Sequence, residues 1–251
     1  MSFADHIISR QSIAVPVYCS GIEDRTIAKI LSKSSLTEYD FLALLSDRAD
    51  GFLEEIAQKA ARRTRMHFGN TVTLFTPLYI SNHCENVCPY CSFARHHDIV
   101  RSHLSLDEIA EEAQRISATG MRHILLLTGE APSMVPVPYL EKVIRLLRDY
   151  FSSVAIEIYP LTTEEYRRLI DAGADALTLY QETYHRERYE RLHRGGPKAD
   201  YLFRLGAPER ACESGIRSVT VGALYGLSDW RSDAFFAALH AHYLQQHYPE
   251  V

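Results

Sequence analysis

The sequence predicts an α/β protein whose main domain is a partial (βα) barrel of the TIM type. From residue 71 onward, short apolar runs rich in β-branched residues alternate with amphipathic helical patterns. This alternation is typical of a parallel sheet with helices packed outside it. Cysteine, glycine and charged residues directly follow the predicted strands, at the strand ends where (βα) barrels place their chemistry. The alternation alone also fits an open doubly wound sheet, but the position of these residues favours the barrel.

Residues 1–70 are predicted to form a helical N-terminal segment, and residues 71–251 the partial barrel. Within the first segment, Thr37 is the expected N-cap of one helix, and a second helix is expected over 51–66. The predicted strands are 71–80, 123–128, 154–159, 176–180 and 218–224. The predicted helices of the barrel are 105–119, 137–151, 162–172, 199–214 and 232–247. Several of them follow Ser, Thr or Asp and end near Gly, as capping preferences require.

The chain ends at Val251, directly after the fifth predicted βα unit. Five units do not close a barrel of six or eight strands. We therefore expect either an open sheet or a C-terminally truncated barrel. Truncation would leave an apolar sheet edge exposed.

Composition narrows the functional classes. The 251 residues are 46% hydrophobic and 24% charged, as in an ordinary soluble globular protein, and the formal net charge is -5. This charge does not predict a nucleic-acid partner. No apolar run approaches the roughly 18 residues that would span a membrane, and no secretory signal is recognisable at the N-terminus. A cytoplasmic location is the expectation.

Three of the five cysteines lie within eight residues, at Cys84, Cys88 and Cys91. Thiolates are the usual ligands of iron–sulfur clusters. The spacing lets three sulfurs from one loop reach three corners of a [4Fe–4S] cluster, which leaves one iron open for a small molecule. The isolated Cys19 and Cys212 are expected to be packing residues.

A zinc site is the alternative reading of the same cysteines. Zinc prefers four ligands, and His83, His96 or His97 could supply the fourth. In that case the protein would be a non-catalytic zinc-binding scaffold. The position of the three cysteines after the first predicted strand favours the iron–sulfur cluster.

The segment 84–91, Cys-Glu-Asn-Val-Cys-Pro-Tyr-Cys, resembles the signature of the radical SAM superfamily. The resemblance implies that Cys84, Cys88 and Cys91 hold a [4Fe–4S] cluster whose open iron binds S-adenosylmethionine (SAM). Reductive cleavage of SAM would then yield a 5′-deoxyadenosyl radical. The resemblance also places Tyr90 beside the adenine.

The same resemblance assigns SAM-binding roles to residues after the other strands. Gly129 and Glu130 match the family element that contacts the methionyl amino group. Arg204 matches the arginine that pairs with the SAM carboxylate. The remaining candidates are Gln181, Glu182 and Thr183, near the ribose or the substrate, and Gly222 and Leu224, near the adenine. The segment 193–198 looks like a mobile basic loop and receives no role.

Four elements together narrow the resemblance to the tyrosine lyases: residues 68–70, the cysteine loop, the Tyr-Gln-Glu-Thr-Tyr-His run at 180–185, and residues 222–229. Within these lyases, the resemblance is greatest to those that supply the thiazole ring of thiamine. It implies cleavage of the Cα–Cβ bond of L-tyrosine to 2-iminoacetate and p-cresol. The implied partners are thiazole synthase and a flavodoxin or ferredoxin.

Two features of the resemblance leave alternatives open. The tyrosine-cleaving [FeFe]-hydrogenase maturase shares the 180–185 run, and other radical SAM enzymes are more distant possibilities. The family also continues for roughly another third of its length, with basic residues that hold the tyrosine carboxylate. Without those strands, we expect this chain to hold a cluster and SAM but to lack a complete tyrosine site.

Overall fold

The computed structural model describes residues 2–10 and 13–251, and it contains a parallel five-stranded sheet surrounded by helices. The strands are β1 (Thr76–Ser81), β2 (His123–Thr128), β3 (Ser153–Glu157), β4 (Ala176–Glu182) and β5 (Ser218–Ala223). Their order in the sheet is their order in the chain, and every pairing is parallel. The predicted fold class, a partial (βα) barrel, is confirmed.

Helices connect the strands and form the N-terminal segment. That segment contains α1 (Phe3–Ile8), α2 (Val15–Ser20), α3 (Asp24–Ser32), α4 (Glu38–Leu44), a 3-10 helix (Asp47–Phe52) and α5 (Leu53–Phe68). The sheet is covered by α6 (Leu106–Ala118), α7 (Val137–Arg148), α8 (Thr163–Ala172), α9 (Arg186–Leu192), a second 3-10 helix (Pro197–Ala199), α10 (Tyr201–Leu205), α11 (Ala207–Glu213) and α12 (Trp230–His247). None of the helices in the described residues is long and apolar enough to cross a membrane.

Local sequence explains where the helices begin and end. Thr37, Ser105 and Thr162 are N-caps, and each forms a capping box with the acidic residue three positions later. Two orphan backbone donors are satisfied in each box. Gly173 closes α8 with a φ of 117°, in the left-handed region that favours glycine.

The largest apolar core lies between the sheet and α6, α7, α8 and α11. Leu126 and Ile156 of the sheet are fully buried against helix residues such as Leu140 and Leu169. Each such side chain contributes about 1.5–3 kcal/mol through burial. A second core joins Phe3 and other residues of the N-terminal segment to α10 and α12. The sheet is therefore a rigid base, and the loops at its carboxyl end can be positioned against it.

The structure differs from the predicted elements in the start of β1, in the helix predicted over 199–214 and in the presence of α9. β1 begins at Thr76 rather than at residue 71, because Thr76 pairs with Ile124 and β2 begins only one residue earlier. Residues 71–75 therefore have no strand beside them. Their apolar side chains, among them Val72 and Phe75, are exposed at this edge of the sheet.

The single helix predicted over 199–214 is broken into α10 and α11. Pro208 lies in the first turn of α11, where its missing N–H costs nothing, and it cannot continue α10. The structure also contains α9, which the sequence did not predict. These breaks turn the chain after β4 back toward the cysteine loop.

Candidate active site

A cavity of about 300 Å³ opens at the carboxyl end of the sheet. Its walls come from the ends of β1, β2, β3 and β4, from the segments that directly follow β1, β2 and β3, and from residues 198 and 204. Seven residues predicted from the sequence line it: Cys84, Cys88, Cys91, Gly129, Glu130, Glu182 and Arg204. Segments that are far apart in the chain meet here because parallel strands all end at the same edge.

The three cysteines of the loop are free thiols that face this cavity. Cys88 is buried, and burial raises the pKa of its thiol to about 11. A thiolate at this position therefore requires a cation, such as iron, to replace the proton. Cys84 and Cys91 are half-buried.

The donor set fits a cluster better than a single metal ion. Within residues 2–10 and 13–251, no three His, Cys, Asp or Glu side chains come close enough together to hold one ion. His83, His96 and His97 are not among the residues that line the cavity. A tetrahedral zinc site needs four ligands within about 2.0–2.3 Å of one point. Three thiols around one cavity instead suit a cluster, which bonds each sulfur at a separate corner.

Gly129 brings the end of β2 into direct contact with the start of the cysteine loop. Its N–H donates to the Ser81 carbonyl at 2.9 Å, and the Glu85 N–H donates to the Glu130 carbonyl at 2.9 Å. A Cβ atom at position 129 would lie 2.2 Å from the His83 carbonyl oxygen and 3.3 Å from Cys84 Cβ. Only glycine allows the two backbones to approach this closely.

Gly129→Ala is therefore expected to displace the cysteine loop. We expect a loss of about 1–3 kcal/mol in the free energy of unfolding, measured by denaturant titration, together with reduced iron uptake. Gly51→Ala is the matched control, since a Cβ atom there meets nothing within 4 Å. Equal iron uptake by both variants would contradict the proposed role of this contact.

Four charged side chains form a buried charge cluster beside the thiols: Glu130, Glu182, Lys198 and Arg204. Arg204 Nη1 donates to Glu130 Oε1 at 2.7 Å, and Lys198 Nζ donates to Glu182 Oε1 at 2.6 Å. Longer ion pairs join Lys198 to Glu130 at 3.5 Å and Arg204 to Glu182 at 3.4 Å. All four side chains are at most 12% exposed. Two carboxylates and two cations leave the cluster with no net charge.

The pKa values of this cluster show that its charges stabilise one another. Burial raises the pKa of Glu130, but the adjacent Arg204 and Lys198 and hydrogen bonds from Asn86 and Arg204 outweigh it, and the pKa falls to about 2. Burial lowers the pKa values of Lys198 and Arg204, yet the two carboxylates raise both above their ordinary values. Glu130, Lys198 and Arg204 are therefore charged at neutral pH.

The end of β4 turns the Glu182 side chain into the cavity. Glu182 has a φ of 71°, and the register with β5 shifts between Tyr180 and Glu182. A left-handed glutamate is strained and persists only where its surroundings hold it. Thr183 supplies one such restraint, since its hydroxyl donates to Asp233 Oδ1 at 2.9 Å.

Five of the predicted site residues do not line the cavity. Gln181 donates to the Tyr201 carbonyl at 3.4 Å, and Thr183 is directed to α12. Tyr90 shares a 2.6 Å hydrogen bond with His193 Nε2. Gly222 lies under the ring of Tyr180, and Leu224 is 41% exposed. The SAM-binding roles expected for these five remain predictions.

Lys198 and Asn86 belong to or contact the charge cluster, but neither had a predicted role. Lys198 was part of the unassigned basic segment, and Asn86 lies between two of the cysteines. The Asn86 amide donates to Glu130 Oε2 at 2.9 Å, and its oxygen accepts the Lys198 N–H at 2.9 Å. Asn86 thus links the cysteine loop to the Glu130 carboxylate and to the backbone of Lys198. No pattern in the sequence distinguishes this buried lysine from the exposed basic residues around it.

Comparison with known proteins gives a family for this site. Residues 78–235 match the model of the radical SAM superfamily. The chain is 44% identical over 223 residues to the 2-iminoacetate synthase of Escherichia coli (strain K12), covering 88% of this chain and 59% of that enzyme.

Solved structures of radical SAM proteins are also similar to this chain. A crystal structure of HydG, a maturase of the [FeFe]-hydrogenase, superposes with a TM-score of 0.89 at 29% identity, over 95% of this chain and 56% of that one. HydG from Carboxydothermus hydrogenoformans superposes with a TM-score of 0.86 at 32% identity, over 96% and 58% of the two chains. The chain thus spans less than two thirds of the length of these relatives. It belongs to the radical SAM superfamily, whose members use a [4Fe–4S] cluster and SAM.

Proposed function

We propose that this chain contains the cluster- and SAM-binding part of a tyrosine lyase. In the reaction, L-tyrosine, SAM, two electrons and one proton give 2-iminoacetate, p-cresol, 5′-deoxyadenosine and methionine. The Cα–Cβ bond of tyrosine breaks, and the thiazole ring of thiamine receives the 2-iminoacetate. The observation that supports this proposal most strongly is the 44% identity to a 2-iminoacetate synthase across 88% of the chain.

The charge cluster is suited to the amino-acid end of SAM. That end has one ammonium and one carboxylate, so it adds no net charge to the four balanced charges of the charge cluster. Glu130 would accept the ammonium, and Arg204 and Lys198 would receive the carboxylate. Charges buried in this way are stable only when they stay paired. The ammonium and carboxylate of SAM would therefore form ion pairs with the side chains of the charge cluster, and no charge would be left unpaired.

The [4Fe–4S] cluster with SAM supplies a 5′-deoxyadenosyl radical when it is bound. Cys84, Cys88 and Cys91 would hold that cluster through their thiolates. The apolar side chains of Leu127, Ile158 and Leu179 line part of the same cavity. Orientation and exclusion of water are the contributions that radical chemistry requires from the protein.

The proposed reaction also implies protein partners and a location. We propose thiazole synthase as the acceptor of 2-iminoacetate, a flavodoxin or ferredoxin as the electron donor, and the cytoplasm as the location. The free thiols of all five cysteines are compatible with a reducing compartment.

A chimera tests the proposed reaction. The region of the Escherichia coli 2-iminoacetate synthase that aligns with this chain is replaced by this chain. The anaerobically reconstituted chimera receives SAM, dithionite and L-tyrosine. We expect p-cresol and 5′-deoxyadenosine in comparable amounts, and no p-cresol when phenylalanine replaces tyrosine. A chimera that forms 5′-deoxyadenosine but no p-cresol would exclude tyrosine cleavage and leave the family unaffected.

The second candidate is the hydrogenase maturase, which the TM-scores of 0.89 and 0.86 to HydG favour. Both candidates start from tyrosine, so p-cresol does not separate them. Complementation does, because a thiamine auxotroph lacking 2-iminoacetate synthase would grow with the chimera only if 2-iminoacetate reaches thiazole synthase.

A further inference from the structure

The loop that contains the three cysteines has no regular secondary structure of its own. It leaves β1 at Ser81 and returns to the sheet at residues 102–104. Its two ends meet at an antiparallel bridge between Ser81 and His103. Asn82 strengthens this junction, since its backbone N–H donates to the Ser102 carbonyl and its side-chain oxygen accepts the Ser102 N–H. A loop closed in this way still has many backbone carbonyls without a partner in a helix or strand.

The Arg101 side chain donates hydrogen bonds to four of these backbone carbonyls. Nη1 donates to the Asn82 carbonyl at 2.7 Å and to the Phe93 carbonyl at 2.8 Å. Nη2 donates to the Ala94 carbonyl at 2.8 Å and to the His97 carbonyl at 3.2 Å. One guanidinium therefore binds the backbone two residues before Cys84 and again two and three residues after Cys91.

These four hydrogen bonds span both sides of the cysteine segment. Phe93 and Ala94 line the same cavity as the thiols, so Arg101 binds the backbone of two residues that form the cavity wall. Hydrogen bonds from a charged donor are about twice as strong as neutral ones. The planar guanidinium presents its donors in a fixed geometry, whereas a lysine ammonium is a single point with three donors. The bonds of Arg101 therefore fix the distance between the two sides of the loop.

We propose that Arg101 is a positioning residue that holds the cysteine loop in the shape that accepts the cluster. It acts through the backbone on Cys84 and Cys91 and touches neither the cluster nor SAM. The inference rests on the proposed cluster site. It extends that site by a residue that lies ten positions beyond the last cysteine and outside the predicted set.

The test compares Arg101→Gln, Arg101→Lys and the unaltered chain after anaerobic reconstitution. Arg231→Gln is the matched control, because Arg231 also donates to a backbone carbonyl, that of Leu45 at 2.8 Å, but far from the cysteines in the chain. Cluster loss to an iron chelator is followed by the decay of visible absorbance. We expect Arg101→Gln to lose its cluster at least about tenfold faster than the unaltered chain, with broadened EPR lines of the reduced cluster. Arg101→Lys should restore only part of this, and Arg231→Gln should match the unaltered chain.

Hydrogen exchange on the cluster-free proteins provides an independent measurement. The amides of residues 84–97 should exchange faster in Arg101→Gln, while those of β2 and β3 remain unchanged. Equal chelator kinetics for Arg101→Gln and the unaltered chain would overturn the proposal, as would full rescue by lysine. If the unaltered chain takes up no cluster, the cluster site itself is rejected. The exchange data still decide whether Arg101 holds the loop.

Discussion

Replacing Cys88 by serine is expected to remove the cluster and to abolish cleavage of SAM. Cys88 is the buried member of the three thiols and lies between the other two in the chain. Serine preserves the size of the side chain but offers an alcohol instead of a thiolate, and iron–sulfur clusters are held by thiolates. After anaerobic reconstitution, iron and sulfide should fall from about four each per chain to a small fraction. Formation of 5′-deoxyadenosine should fall to the rate without protein.

Cys19→Ser provides the matched control. Cys19 is also buried, but its thiol contacts the Leu42 carbonyl at 3.6 Å in the N-terminal segment, away from the cavity. We expect unchanged iron and sulfide and a modest loss of stability of about 1 kcal/mol. Full iron and sulfide in Cys88→Ser would contradict the assignment of this thiol as a ligand.

Glu130→Gln is expected to lower both stability and affinity for SAM. The substitution leaves Glu182 alone with two buried cations, Lys198 and Arg204. Removing one partner of a buried ion pair typically costs about 3–5 kcal/mol, because it leaves an uncompensated charge. Denaturant titration should show this loss in the free energy of unfolding. Isothermal titration of the reconstituted protein should show weaker binding of SAM.

The pH dependence gives a second signature of the same carboxylate. The pKa of Glu130 is about 2 in the folded chain, below its ordinary value of 4.5. A carboxyl with a depressed pKa stabilises the fold fully above its unfolded pKa, and this stabilisation disappears as the pH falls toward the folded value. The unaltered chain should therefore lose stability between about pH 4.5 and pH 2, and Glu130→Gln should lose less over this range.

Glu141→Gln is the control, because it removes the charge of a paired carboxylate on the surface instead of in the buried charge cluster. Glu141 pairs with Arg168 at 2.8 Å on the surface, where exposed ion pairs contribute less than about 1 kcal/mol. If Glu130→Gln and Glu141→Gln destabilised the chain equally, the buried charge cluster would have no special importance for the fold.

Much of the sheet could be predicted because its signals are local. The strand over 123–128 is found at the predicted residues, since its continuous apolar run is buried between its neighbours. The starts of α6 and α8 were predictable from Ser105 and Thr162, because a capping box needs only the residues of one turn. The cysteine spacing was equally visible, since all three cysteines come from one short loop.

Other features depend on contacts between distant segments and left no local signal. Lys198 is buried only because the broken helices after β4 bring it to Asn86 and Glu182. The sequence run at 180–185 gave no indication that Glu182 would face the cavity while Gln181 and Thr183 turn away. That arrangement follows from the register shift at the end of β4 and from the hydrogen bond that Thr183 donates to Asp233 of α12.

We propose above all that three thiols of this chain hold a [4Fe–4S] cluster with one iron open to SAM. EPR of the anaerobically reconstituted and reduced protein, recorded with and without SAM, tests it most directly. We predict about four iron and four sulfide per chain and a reduced-cluster signal that changes shape when SAM is added. Stoichiometric zinc without sulfide, or a cluster signal that SAM leaves unchanged, would contradict the account.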